Sequence, residues 1–390
     1  MLHQAKQDAR RGGAVPRFFL VLLCVGGSFV GAYFLVPSLI PLTYESVPHT
    51  ASPAKEKEIK RVVTHLPTPE PLKAIYMTSY VAGHKDLRSA LMKLIQETEL
   101  NAVVIDIKDY SGRIAFPVND PELHSVGASE KRIADLDDFL EELHRKGIYI
   151  IGRISVFQDS FLVGKRPAWA VKRESDKTVV WKDYKGVQWL DAGNHEVWEY
   201  IVRLAKESYT RGFDELNFDY IRFPSDGNMN DIFYPMSEGR VKAEVIREFF
   251  SYLRESLAGT SAILSADLFG MTTTNKDDLN IGQILEYALP YFDYISPMVY
   301  PSHYPATFLG FANPAANPYE VVKYSMDEAY RRASTTPLKL RPWLQDFDIG
   351  ADYDAEKVRA QMKAVYDAGL TSWMLWAPSN RYTKDALLPE

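Results

Sequence analysis

One cysteine, Cys24, serves all 390 residues, which excludes an intrachain disulfide and any multi-cysteine metal site. Histidine spacing excludes another class. His84, His124, His144, His195 and His303 form neither His-x-His nor His-x-x-x-His pairs, so the clustered ligands of a metal-dependent hydrolase are missing. No Gly-x-Ser-x-Gly elbow is present for a serine hydrolase. The charges, 45 Lys and Arg against 51 Asp and Glu, leave a net charge of −6 and no basic footprint for nucleic acid. The sequence implies no bound cofactor, no metal and no evident protein partner.

The amino end is what stands apart. Lys6, Arg10, Arg11 and Arg17 precede an uncharged apolar run over 18–42, whose unbroken core 18–36 has about the roughly 20 residues that cross a bilayer. Basic residues before the run, and few just after it, predict a cytoplasmic tail over 1–17 and an extracytoplasmic body. The rival, a cleaved signal peptide, would have a shorter apolar region, about 7–15 residues, before a small-x-small site. The reading taken is a single-pass membrane anchor that meets the lipid bilayer through 18–42. Pro48, Pro53, Pro67, Pro69 and Pro71 then interleave with polar residues, so 43–71 reads as an extended linker.

From residue 72 to 390 short β-branched and aromatic runs alternate with helical spacing, the mark of βα units and a parallel sheet. Strands are expected over 74–80, 102–107, 148–157, 215–223, 262–269, 294–300, 340–347 and 372–377. Apolar stripes between them, such as Leu136, Phe139, Leu140 and Leu143, mark the helices. Eight units predict a closed (β/α)8 TIM barrel. An open doubly wound sheet would carry a glycine-rich turn after its first strand, where this chain has Val81-Ala82-Gly83-His84-Lys85. The stretch 158–194, with Trp169, Trp181, Tyr184 and Trp189, is too long for a simple connector and reads as a lid or binding loop.

Strand alternation sorts the polar residues by face. Asp106 and Lys108 share one face of strand two, with Asp109 just beyond. Arg153 and Ser155 pair on strand three, Asn217 and Asp219 on strand four, and Ser265 and Asp267 on strand five. Ser296, Met298 and Tyr300 share a face of strand six, and strand seven ends in Gln345-Asp346. Any one such Asp commonly caps a helix or pairs with an Arg. Asp106 has Lys108 or Arg153 as candidate partners, and Arg222 is a candidate to hold Asp219. Their convergence on the carboxyl ends of the strands, where barrel active sites sit, points to a site. Tyr300, Trp343, Trp373 and Trp376 are candidate walls for the C–H face of a sugar, and the loop tryptophans are hard to account for as core.

Glycoside cleavage needs two carboxyl groups about 5–9.5 Å apart. Adjacent strands lie about 4.8 Å apart, so Asp219 and Asp267, at matching heights on strands four and five, fall near that range. Either stereochemical outcome fits.

The segments Val104-Ile105-Asp106-Ile107-Lys108-Asp109, Asn217-Phe218-Asp219-Tyr220-Ile221-Arg222-Phe223-Pro224, Ser265-Ala266-Asp267-Leu268-Phe269-Gly270 and Ser296-Pro297-Met298-Val299-Tyr300-Pro301 together resemble a bacterial domain family of unknown function. The resemblance spans 72 to the end and implies a (β/α)8 fold and, by distant kinship, carbohydrate hydrolysis. Strand four ending in Asp is also similar to the α-amylase superfamily, which implies that Asp219 is the nucleophile and that the acid stands on strand five. The acid there is Glu, whereas this chain has Asp267. A pattern in α-galactosidase-like barrels places the acid on strand six, where this chain offers Tyr300 and nearby His303. The expectation is therefore a membrane-tethered glycoside hydrolase acting on a carbohydrate substrate, with Asp219 and Asp267 catalytic. Substrate contacts are expected from Asp106, Lys108, Asp109, Arg153, Asn217, Arg222, Tyr300, His303, Trp343, Gln345, Asp346 and Trp376. The rival is a non-catalytic carbohydrate-binding barrel.

Overall fold

The computed structural model describes residues 63–390. The expected basic tail, the apolar run 18–42 and the linker up to residue 62 lie outside the described residues. Among the described residues no helix is long and apolar enough to cross a membrane.

Eight parallel strands close in sequence order: β1 (Lys73–Met77), β2 (Ala102–Lys108), β3 (Tyr149–Ser155), β4 (Glu215–Asp219), β5 (Ile263–Phe269), β6 (Tyr294–Met298), β7 (Trp343–Gln345) and β8 (Trp373–Trp376). The barrel helices are α1 (Lys85–Gln96), α2 (Leu136–Arg145), α3 (His195–Arg211), α4 (Lys242–Leu257), α5 (Leu285–Ala288), α6 (Pro318–Ala333) and α7 (Ala355–Asp367). The expected (β/α)8 barrel is thus the observed fold.

Alternation along the strands builds two apolar layers. Ala102 and Val104 of β2 point inward with Tyr76, Tyr149, Ile151, Trp343 and Met374, whereas Val103, Ile105 and Ile107 face the helices. Helix α2 shows the sequence logic. Leu136, Phe139, Leu140 and Leu143 recur at helical spacing and are all buried; each such side chain contributes about 1.5–3 kcal/mol. Helix α3 stops at Gly212, whose φ of 118° leaves its amide free to bond the carbonyls of Ser208 and Tyr209.

All the strands but β2 are shorter than expected, β4 and β7 by the most. β4 ends at Asp219 instead of 223, because Tyr220 turns into the left-handed region at φ 53°. β7 spans only Trp343–Gln345 and pairs with β6 through Met298 and Trp343 alone. Pro297 and Pro342, which have no N–H to give, flank that contact.

The last residues of the expected linker lie against the barrel's amino-terminal end. The Leu66 amide donates to Asp214 Oδ1 at 2.8 Å, and the His65 ring stacks on Tyr209 with centroids 4.1 Å apart. The loop 158–194 is packed, not open. It holds a short helix (Ser160–Lys165) and antiparallel bridges such as Lys182 to Gln188. Trp181 and Trp189 are buried core residues, a correction to the expectation that the loop tryptophans are hard to account for as core. Their indole N–H groups are used internally, by the Asn228 carbonyl and the Asp183 carboxylate.

Candidate active site

The carboxyl ends of β3 to β6 and β8 open into a cavity of 380 Å³ lined by Arg153, Asp219, Tyr220, Arg222, Asp267, Phe269, Gly270, Met271, Met298, Tyr300, His303, Tyr304 and Trp376. A larger groove, 620 Å³, runs on the flank past Asp120, Glu199, Arg203 and Glu207. Its Arg203 is spent on Asp120 and Glu199, and it is remote from the strand ends.

The buried Arg153 guanidinium organises the cavity floor. Its Nη1 donates to Asp106 Oδ1 at 2.6 Å, and its Nη2 and Nε donate to Asp219 Oδ2 at 2.5 and 3.1 Å. Nε also lies 3.9 Å from Asp267 Oδ2. The Asp219 and Asp267 oxygens that face Arg153 Nε are therefore at most the sum of those two distances apart, about 7 Å, which is below the roughly 9.5 Å upper limit of glycosidase carboxyl pairs. Register explains the meeting: Asn217 pairs with Ser265 and Phe218 with Ala266, so Asp219 and Asp267 stand one step further along neighbouring strands.

The two carboxyl groups have different surroundings. Asp219 Oδ1 accepts from the Tyr220 amide at 2.6 Å. Asp267 Oδ1 accepts from Asn217 Nδ2 and from Trp343 Nε1, both at 2.9 Å. Burial pushes the Asp267 pKa well above the usual carboxylate range. The nearby Asp219 charge pushes it the same way, and together they outweigh Arg153 and the two hydrogen bonds. Burial raises Asp106 too, against the pull of Arg153 and of Tyr76, whose hydroxyl donates to Asp106 Oδ2 at 2.5 Å. Burial alone would depress Arg153, but the charges of Asp219 and Asp106 outweigh it and hold the guanidinium well above its ordinary value.

Trp376 and Tyr76 stack with centroids 3.9 Å apart, and the Arg153 guanidinium lies 5.1 Å from the Trp376 ring. On the opposite wall burial, with the charges of Asp267 and Asp219, keeps the Tyr300 phenol protonated. Burial, then Lys185, lowers the His303 pKa, so its imidazole is neutral near pH 7. Gly270 lets β5 turn here, since a Cβ would stand 2.3 Å from the Met298 carbonyl oxygen.

Of the residues singled out from sequence, Asp219, Asp267, Arg153, Arg222, Tyr300, His303 and Trp376 line the cavity. Asp106, Asn217 and Trp343 stand directly behind and bind the lining groups. Four others are engaged elsewhere. Lys108 is fully buried against Asp159 at 2.8 Å, and Asp109 pairs with Arg132 at 2.5 Å. Gln345 accepts from the Ser302 amide, and Asp346 accepts from the amide and hydroxyl of Thr383. Phe269 and Met298 were within reach of strand alternation, sharing faces with Asp267 and Ser296. Tyr220 was not, because its left-handed backbone breaks the alternation.

No cluster of His, Cys, Asp and Glu suited to a metal occurs among the described residues. Fold and site together define a (β/α)8 barrel with a buried carboxyl pair at the carboxyl ends of its strands. The chain belongs to the family described as "Putative glycosyl hydrolase domain", whose model matches residues 74–382. No curated protein matches the sequence. Among solved structures, a hypothetical protein from Ruminiclostridium thermocellum is 36% identical over 50% of this chain and 96% of its own, with a TM-score of 0.46. The glycoside hydrolase domain of PgaB (BpsB) from Bordetella bronchiseptica is 15% identical, with 82% of this chain and 99% of that one covered and a TM-score of 0.61. An α-L-fucosidase from Paenibacillus thiaminolyticus is 12% identical, with 81% of this chain and 48% of that one covered and a TM-score of 0.57. The last two share the fold.

Proposed function

We propose that this chain is a membrane-anchored, extracytoplasmic glycoside hydrolase that cleaves O-glycosidic bonds of an envelope or extracellular polysaccharide. The observation that carries the reading is the shared Arg153 guanidinium, which brings Asp219 and Asp267 within about 7 Å while burial and the Asp219 charge push the Asp267 pKa up. Asp267 retains its proton and gives it to the departing glycosidic oxygen as the C–O bond breaks. Asp219, ion-paired to Arg153, either attacks the anomeric carbon or takes a proton from the water that does. In the first case water later cleaves the glycosyl ester, with Asp267 returning as base. Arg153 and Asp106 keep the pair oriented, and Trp376 offers an apolar face to the sugar ring.

The anchor rests on the apolar run 18–42 and the basic residues before it. The alternative, a non-catalytic carbohydrate-binding barrel, calls for carboxyl groups held well apart, and the bound of about 7 Å weighs against it. The test is turnover of Asp219→Asn and Asp267→Asn on a polysaccharide panel with product analysis. Wild-type turnover by both variants, on a substrate the parent cleaves, would sink the assignment. Recovery of the full chain in the soluble fraction would remove the anchor.

A further inference from the structure

Arg222 is the one cavity-lining cation that no carboxylate neutralises at contact range among the described residues. It is only 8% exposed, and a charge so deeply buried is ordinarily paired. Its Nη1 donates to the Phe223 carbonyl at 3.0 Å and to Ser225 Oγ at 3.2 Å. Among the described residues its hydrogen bonds are made by Nη1 alone, leaving Nε and Nη2 without one.

The nearby carboxylates are occupied. Asp219 is held by Arg153. Asp183 accepts from the Lys185 and Val187 amides and from Trp189. Asp226 is exposed and acts on Arg222 only at longer range. Burial accordingly pulls the Arg222 pKa below its usual value despite these charges.

Three rings fix the guanidinium instead, with its carbon 4.6 Å from the Phe269 centroid, 4.8 Å from Trp189 and 5.4 Å from Tyr220. Ring contacts of this kind stabilise the charge without using its in-plane N–H donors. The side chain is thus rigid, lines the cavity and keeps two parallel-directed donors in reserve. A planar fork of this type matches a carboxylate, which accepts two N–H bonds side by side.

We propose that the site takes an acidic glycan, and that Arg222 receives the carboxylate of a uronic acid residue bound in the cavity. This rests on the glycoside hydrolase reading and names its substrate class. A bound carboxylate completes the missing ion pair, whereas a neutral sugar leaves the cation buried and alone.

The test compares uronate-containing oligosaccharides with the same oligosaccharides after carboxyl reduction and with sulfated neutral ones. Binding and cleavage by the full chain are read separately. The expected result is binding of the uronate about tenfold or more tighter than its reduced counterpart. Arg222→Lys should keep part of that preference and Arg222→Met should lose it. Equal binding of acidic and reduced glycans by the parent overturns the proposal while leaving hydrolysis intact, if the reduced glycan is cleaved. A preference for the sulfated glycan over the uronate overturns the carboxylate assignment. Tight uronate binding with no cleaved bond supports the acidic ligand and counts against the hydrolase reading. Absence of binding to all three overturns both.

Discussion

Arg153 grips Asp219 through two nitrogens, Nη2 at 2.5 Å and Nε at 3.1 Å, while Nη1 holds Asp106 at 2.6 Å. One buried cation therefore answers two buried carboxyl groups and leans on a third. Arg153→Met should leave Asp106 and Asp219 without their counter-charge, at a cost of about 3–5 kcal/mol. Urea unfolding at pH 7 would measure it, and the deficit should shrink toward pH 5 as the stranded groups take up protons. A variant as stable as the parent at pH 7 would show that Arg153 does not neutralise the pair.

Asp267→Asn keeps the shape of the side chain and removes the proton it would donate. Loss of a general acid costs about 10²–10⁴ in rate. The loss should be greatest on the natural polysaccharide and much smaller on an aryl glycoside of the same sugar, whose leaving group departs without protonation. Steady-state kcat on the two substrates makes the comparison. An equal loss on both would assign Asp267 some other role.

The same substitution has a stability consequence of defined sign. The folded-state pKa of Asp267 is raised, chiefly by burial. Below the ordinary carboxylate range, about 4, folded and unfolded chains both carry the proton. As pH rises above it the unfolded chain releases the proton and the folded chain does not, so stability falls toward the raised pKa. Asn carries no such penalty. Asp267→Asn should therefore melt higher than the parent at pH 7 and show little difference at pH 4. A gain that does not depend on pH would mean the carboxyl group is not the source.

The barrel and its carboxyl pair were legible because both follow short-range rules. Alternation on β4 and β5 puts Asp219 and Asp267 on inward faces, and consecutive parallel strands place them side by side. Partner choice was not legible. Asp106 has both Lys108 and Arg153 as candidate partners, and local spacing does not choose between them: Lys108 pairs with Asp159 from the loop after β3, and Asp106 pairs with Arg153 on the neighbouring strand. Trp181 and Trp189 resist a core reading from sequence because nothing local shows that their loop packs into the core. Arg222 has two readings from sequence, a substrate contact or a brace for Asp219, and the turn at Tyr220 separates it from that carboxylate.

Trp343 does not line the cavity, yet its indole N–H donates to Asp267 Oδ1 at 2.9 Å and lowers the acid's pKa. Trp343→Phe removes that donor and retains most of the apolar volume. With one hydrogen bond fewer to the charged form, the Asp267 pKa should rise further. A general acid works while protonated, so the alkaline limb of the kcat/KM profile should move to higher pH. An unmoved limb with reduced kcat would mean that Trp343 acts through packing alone.

The amino-terminal side of the barrel makes the last prediction. Asp214 Oδ2 accepts from the Ile150 amide at 2.8 Å, Oδ1 accepts from the Leu66 amide, and the His144 ring bonds the same carboxylate at 3.1 Å. Burial opposes the Asp214 charge, but its hydrogen bond to His144 and the nearby His65 ring, 3.7 Å away, prevail and lower its pKa. A variant beginning at residue 72 loses the Leu66 amide, the His65 contact and the stacking on Tyr209. It should be less stable than a variant beginning at residue 63, by about 1–3 kcal/mol for one buried acceptor left short of a donor, and melt lower. Because the lowered pKa stabilises the fold above the ordinary carboxylate range and that contribution fades as pH falls through the folded pKa, the gap should narrow in acid. Equal melting of the two at pH 7 would mean that residues 63–71 lie on the barrel without stabilising it.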